Sequence, residues 1–166
     1  DGNSYPSCSP GGQWVLYDNL TGGTTTLWKV PIDGGDPVRL IDKSARMPVA
    51  SPDSQFFACS YYGGDEPRGV AIFPFQGGPM TRLIPIPIRE WQRVQWIDGG
   101  HALSYIDSAN GVSNIWSYDL GTGRSRQLTA FKTDQIFAYA WSPDQKQLAC
   151  MRGTEVSDAT IIDDQK

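Results

Sequence analysis

Apolar residues in this sequence fall into short runs broken by Gly, Pro, Asp and Ser, and the runs recur. Residues 8–17, 50–59, 96–105 and 141–150 align with one another. Their large apolar position falls at Val15, Phe57, Leu103 and Leu148, in steps of 42, 46 and 45. The following position holds Leu16, Ala58, Ser104 and Ala149. A second pattern keeps the same phase: Leu27 to Ile32, Val70 to Phe75 and Ile115 to Leu120 each lead through a Gly-containing turn to Leu40, Leu83 and Leu128. Two landmarks with one period argue for a repeat rather than chance similarity.

Each repeat reads as an antiparallel meander of strands a to d. Ser-Pro-Asp forms the a–b turn, because Pro presets φ and Asp accepts from its own backbone. Gly34-Gly35 and Gly77-Gly78 form c–d hairpin turns that need positive φ. The runs Gln13 to Tyr17 and Gln55 to Cys59 read as inner strands covered on both faces, with the small residue after the large one letting sheets approach closely. A lone sheet of this kind leaves both faces wet, whereas radial stacking buries them. Four strands per repeat of about 40–45 residues is the signature of a β-propeller. The expected fold is therefore all-β. It has about four four-stranded blades at roughly residues 1–43, 44–87, 88–131 and 132–166. Strand c of the last blade is expected at Ala159 to Asp163, with its outer strand lacking.

Ser51-Pro52-Asp53 and the run Trp141-Ser142-Pro143-Asp144-Gln145-Lys146-Gln147-Leu148-Ala149 resemble the TolB-like, WD-repeat-like β-propeller motif. Asp33-Gly34-Gly35 to Leu40 and Gly121 to Leu128-Thr129 resemble its second half. Repeat three departs at Ile97-Asp98 and repeat one at Gly11. The stretch from Met151 to Ile162 is similar to the closing segment of bacterial propellers that follow kinase or winged-helix domains in multidomain sensors. The resemblance implies a C-terminal part of a larger bacterial propeller protein, periplasmic or otherwise extracytoplasmic. A four-blade piece either closes on itself or leaves blade faces and a strand edge open. Two copies would supply eight blades, so a homodimer through the open edges is an expected partner arrangement.

Composition narrows the chemistry. Lys+Arg 14 against Asp+Glu 18 gives a net charge of −4, which disfavours nucleic acid as a partner. No apolar run is long enough for membrane insertion as a helix. Cys8, Cys59 and Cys150 have neither disulfide nor metal spacing, and read as three buried thiols. The single histidine, His101, reads as an exposed a–b turn residue, and no Gly-x-Ser-x-Gly elbow is present. We therefore expect no catalytic residues, no metal site and no cofactor.

The conspicuous polar residues lie in the d–a links, at the mouth of the central channel where propellers usually bind partners. They are Arg46, Arg89, Glu90, Trp91, Arg93, Lys132 and Asp134. Trp28 with Trp116, and Trp96 with Trp141, occupy equivalent positions and are expected between blades. The leading reading is a non-catalytic module that binds a protein or peptide, or senses a ligand, at the channel mouth. The alternative is the substrate-gating propeller of a peptidase of the dipeptidyl peptidase IV or prolyl oligopeptidase type. A third reading, a lyase or glycosidase, would rest on Glu90 and Asp134.

Overall fold

The computed structural model describes residues 2–64, 67–87 and 92–155. These form successive antiparallel meanders that stack as the blades of a partial β-propeller. Blade 1 holds β1 (Gly2–Cys8), β2 (Trp14–Thr21), β3 (Thr24–Pro31) and β4 (Val38–Ile41). Blade 2 holds β5 (Ala45–Ala50), β6 (Phe56–Tyr61), β7 (Gly69–Pro74) and β8 (Arg82–Ile84). Blade 3 holds β9 (Gln95–Ile97), β10 (Ala102–Ala109), β11 (Val112–Asp119) and β12 (Ser125–Gln127). Blade 4 shows two strands among the described residues, β13 (Gln135–Trp141) and β14 (Leu148–Gly153). The strand expected at 159–163 lies outside the described residues.

The a–b turns show why Ser-Pro-Asp recurs. The hydroxyl oxygens of Ser9, Ser51 and Ser142 accept from the backbone N–H of Trp14, Phe56 and Gln147 at 3.1, 3.0 and 2.9 Å. Asp53 and Asp144 accept from their serine hydroxyls at 2.5 and 2.6 Å, and from Gln55 and Lys146 N–H at 3.0 and 3.1 Å. These bonds favour the ionised form and hold both carboxyls below their ordinary value. Blade 3 has Ile97-Asp98 in place of Ser-Pro. It turns instead through the short 3-10 segment Asp98–Gly100, with φ of 52°, 61° and 97° at Asp98, Gly99 and Gly100. At the c–d turns Gly34, Gly35, Gly77 and Gly78 have φ of 95°, 130°, 89° and 118°, a region closed to most side chains.

The core lies between blades. Leu16, Leu27 and Leu40 of blade 1 pack on Phe57, Cys59 and Phe73 of blade 2. Ala58, Val70, Ile72 and Ile84 of blade 2 pack on Leu103 and Tyr105 of blade 3. Ile106 and Ile115 of blade 3 meet Ile136 of blade 4, with Tyr139, Leu148 and Cys150 alongside. Trp96 and Trp141 sit at these junctions, each reaching back one blade. Their indole N–H groups donate to the Val49 carbonyl and to Ser104 Oγ, both at 3.0 Å.

Three expectations need correction. Only Cys59 is a buried thiol; Cys8 is exposed and Cys150 half-buried, because their strands belong to the two outermost blades. Trp28 does not lie between blades as Trp116 does: it stands opposite Tyr17, on the face of blade 1 turned away from blade 2. Ala149 is exposed rather than covered by a neighbouring sheet.

Candidate functional site

The innermost strands build the site. Tyr5, Met47, Arg93 and Ala138 stand at one repeat position, each four residues before the a–b turn position. All four line a single cavity of about 470 Å³ on the propeller axis, together with Val49, Gln95 and Phe137. Strand a is irregular at this level in three blades, with register shifts between Ser4 and Ser7, Arg46 and Val49, and Ile136 and Ala138. Tyr5 and Met47 take φ of 52° and 56°, although each precedes a proline. That conformation costs a non-glycine residue about 1–2 kcal/mol. A bulge redirects the side chain that follows it, so these kinks aim the inner strands at the axis.

Arg93 is the one charged side chain lining the channel among the described residues. Its Nη2 donates across the axis to the Tyr5 and Pro6 carbonyls of blade 1, both at 3.1 Å. Burial lowers its pKa from the ordinary guanidinium value, and the Asp18 carboxylate opposes that shift. Asp18 is 1% exposed; its Oδ2 accepts from the Met47 N–H at 3.3 Å, and its Oδ1 has no hydrogen-bond partner among the described residues. The channel therefore pairs a half-buried cation with aromatic, aliphatic and amide walls.

The structure separates the other residues singled out from the sequence. Arg46 belongs to β5 rather than to the link before it, and its Nη2 lies 3.5 Å from Thr25 Oγ1 on blade 1. Asp134 pairs with Arg152 at 3.5 Å and accepts from the Thr133 hydroxyl at 2.9 Å. Arg152 also donates to the Thr133 carbonyl at 2.7 Å and lies 3.6 Å from the Phe131 ring centroid. Lys132 is exposed, in a separate groove with Asn110, Asn114 and Trp116. Arg89, Glu90 and Trp91 lie outside the described residues. Sequence reading missed Tyr5 and Met47. The signal was present, since Tyr5-Pro6 and Met47-Pro48 recur at the same distance before Ser-Pro. His101 is exposed at the end of the blade 3 turn. Among the described residues no three His, Cys, Asp or Glu side chains converge as metal ligands would.

This architecture is that of a partial β-propeller with a lined channel, and the solved structures it resembles include TolB and other β-propeller proteins. TolB from Acinetobacter baumannii superposes with a TM-score of 0.77 at 16% identity, over 90% of this chain and 37% of that one. A protein described as a TolB, from Agrobacterium tumefaciens, gives a TM-score of 0.70 at 22% identity, over 90% of this chain and 53% of that one. The acylaminoacyl peptidase of Pyrococcus horikoshii gives 0.58 at 12% identity, over 81% of this chain and 26% of that one. At such identities the likeness defines the fold. The chain spans between about a third and a half of the length of the two TolB structures. No family profile matches the sequence, and no curated protein matches it.

Proposed function

We propose that this chain is a non-catalytic propeller module that binds a protein or peptide segment at its axial channel, in an extracytoplasmic compartment of a bacterium. The observation that carries the reading is the convergence of one repeat position from four blades, Tyr5, Met47, Arg93 and Ala138, on a cavity with a single charged side chain among the described residues. Aromatic and arginine side chains in a partly desolvated recess are the residue types that dominate binding energy in protein interfaces. Arg46, Lys132 and Asp134 would add contacts to the same partner, as would Arg89, Glu90 and Trp91, which lie outside the described residues. The compartment is the one that the resemblance of the repeats to TolB-like propellers implies. A second reading, a propeller that filters substrates for a peptidase domain, is favoured by the superpositions on acylaminoacyl peptidases and a prolyl endopeptidase.

The test is selection of binders from a displayed library of linear peptides, followed by titration against wild type, Arg93→Gln and Lys132→Glu. Binding at the channel predicts a loss of about tenfold or more for Arg93→Gln, and a smaller loss for Lys132→Glu. A library that yields no binder, or binders indifferent to Arg93→Gln, would set this reading aside.

A further inference from the structure

Between blades 1 and 2, Lys29 fills the junction, its ammonium set against the rings of Trp14 and Phe75. Between blades 2 and 3 the same three positions hold smaller side chains. The strand registers place Phe56 where Trp14 stands and Ile72 where Lys29 stands. Leu120 stands where Phe75 does, each N–H bonding the carbonyl of the residue that opens strand b. The space left over is a recess of about 470 Å³, within the size range of small-molecule sites. Blades 2 and 3 both show all four strands, so the recess does not arise at an end of the stack.

The walls are apolar. Ile72 is 6% exposed, Trp96 and Leu120 are half-buried, and Phe56 is left 37% exposed. Two opposite charges line the same space. The Arg82 guanidinium, on β8, donates to the Leu120 carbonyl and, at 3.4 Å, to the Tyr118 hydroxyl. These bonds fix its direction and leave further N–H donors. No carboxylate pairs with it among the described residues. Asp53 accepts from the Ser51 hydroxyl and the Gln55 N–H through Oδ1, which keeps it ionised, and no cation pairs with it among the described residues. Arg82 and Asp53 do not pair with each other either.

We propose that this recess binds a small zwitterion with an apolar body, the chemistry of an apolar amino acid. Its carboxylate sits on Arg82, its ammonium on Asp53, and its side chain against Phe56, Ile72 and Trp96. A guanidinium with free N–H groups is the donor best matched to a carboxylate. Charges beside apolar walls are screened less than in bulk water, so both contacts gain strength there. An anion alone would meet Asp53 and a cation alone would meet Arg82, so only a ligand carrying both signs escapes repulsion.

The test is titration of the chain with L-phenylalanine to low millimolar concentration, followed by calorimetry and by the Trp96 indole N–H resonance. Saturable binding that shifts this resonance is expected. Phenethylamine, which lacks the carboxylate, and 3-phenylpropionate, which lacks the ammonium, should each bind at least about tenfold more weakly. Asp53→Asn keeps the Oδ1 acceptor of the turn, so folding should be retained. It should weaken phenylalanine at least about tenfold and leave 3-phenylpropionate no weaker. Glycyl-phenylalanine sets the two charges further apart. Tighter binding of the dipeptide makes a short peptide the source of the zwitterion, and tighter binding of phenylalanine makes it a free amino acid. No binding of either, equal binding of the singly charged analogues, indifference to Asp53→Asn, or binding that leaves the Trp96 resonance unmoved would each overturn the proposal. None of these outcomes depends on a peptide entering the axial channel.

Discussion

The Lys29 ammonium in blade 1 donates to the Phe75 carbonyl of blade 2 at 2.9 Å and lies 4.5 Å from the centroid of the Phe75 ring. A second bond at 2.9 Å goes to Gln76 Oε1, and the Trp14 ring lies 4.7 Å away on the other side. Lys29 is 2% exposed and has no carboxylate partner among the described residues. Burial lowers its pKa, so the cation is held by carbonyl dipoles and ring faces in place of water. Lys29→Ala should cost about 2–4 kcal/mol, since it removes the bonds and leaves a cavity between blades. Lys29→Met keeps the volume and relieves the desolvation, and should cost no more than about 1 kcal/mol. Chemical denaturation of the two variants measures the difference; equal losses would show that the stem does not contribute.

Ser54 and Gln145 hold the position after Asp in the a–b turns of blades 2 and 4, with φ of 56° and 57°. Gly12 takes that position in blade 1, at 67°. Left-handed backbone costs an L-residue about 1–2 kcal/mol, while glycine adds chain entropy to the unfolded state. Ser54→Gly should stabilise the protein by about 0.5–1 kcal/mol net, whereas Gln145→Gly should gain less because Gln145 Oε1 accepts from the Asp98 N–H of blade 3 at 2.7 Å. A rise in the denaturation midpoint without a change in its slope would confirm the local origin.

Ser104 joins blade 3 to blade 4. Its Oγ accepts from the Trp141 indole at 3.0 Å, lies 3.1 Å from Tyr139 Oη, and donates to the Gln95 carbonyl at 3.3 Å. The Tyr139 hydroxyl donates to the Ser104 carbonyl at 2.7 Å. Ser104→Ala leaves the indole N–H without its partner and should cost about 1–3 kcal/mol. Hydrogen exchange should then quicken in β13 and β14 but not in blade 1, which separates a local junction from global loosening.

Stability should fall on the alkaline side. Burial raises the Cys59 thiol above its ordinary 9.0 and the Tyr139 phenol above its ordinary 10.0. Above pH 9 the unfolded chain sheds these protons while the folded chain keeps them, so the unfolded state binds fewer protons and stability declines as pH rises. Lys29 has the opposite sign: its lowered folded pKa makes stability rise with pH up to the ordinary lysine value of 10.5. Melting temperatures from pH 7 to about pH 11 should decline from about pH 9 upward, and Cys59→Ala should flatten the onset of that decline.

The sequence by itself determined the repeat and, through it, the meander of each blade. Turn chemistry is local: a serine hydroxyl five residues before an amide closes the a–b turn of blades 1, 2 and 4, and two glycines at positive φ close the c–d turn of blades 1 and 2. The apolar positions of Val15, Phe57, Leu103 and Leu148 follow from the strand period for the same reason. Tertiary structure alone decided what the repeats do together. Tyr5-Pro6 and Met47-Pro48 share a pattern that Arg93 and Ala138 lack, so only radial stacking brings all four to one axis. Equivalence in sequence also did not give equivalence in environment. Ala58 and Ala149 share a repeat position, yet Ala58 is covered and Ala149 is exposed. Burial in a propeller comes from the neighbouring blade, and whether a neighbour is present is a property of the assembled ring rather than of any one repeat.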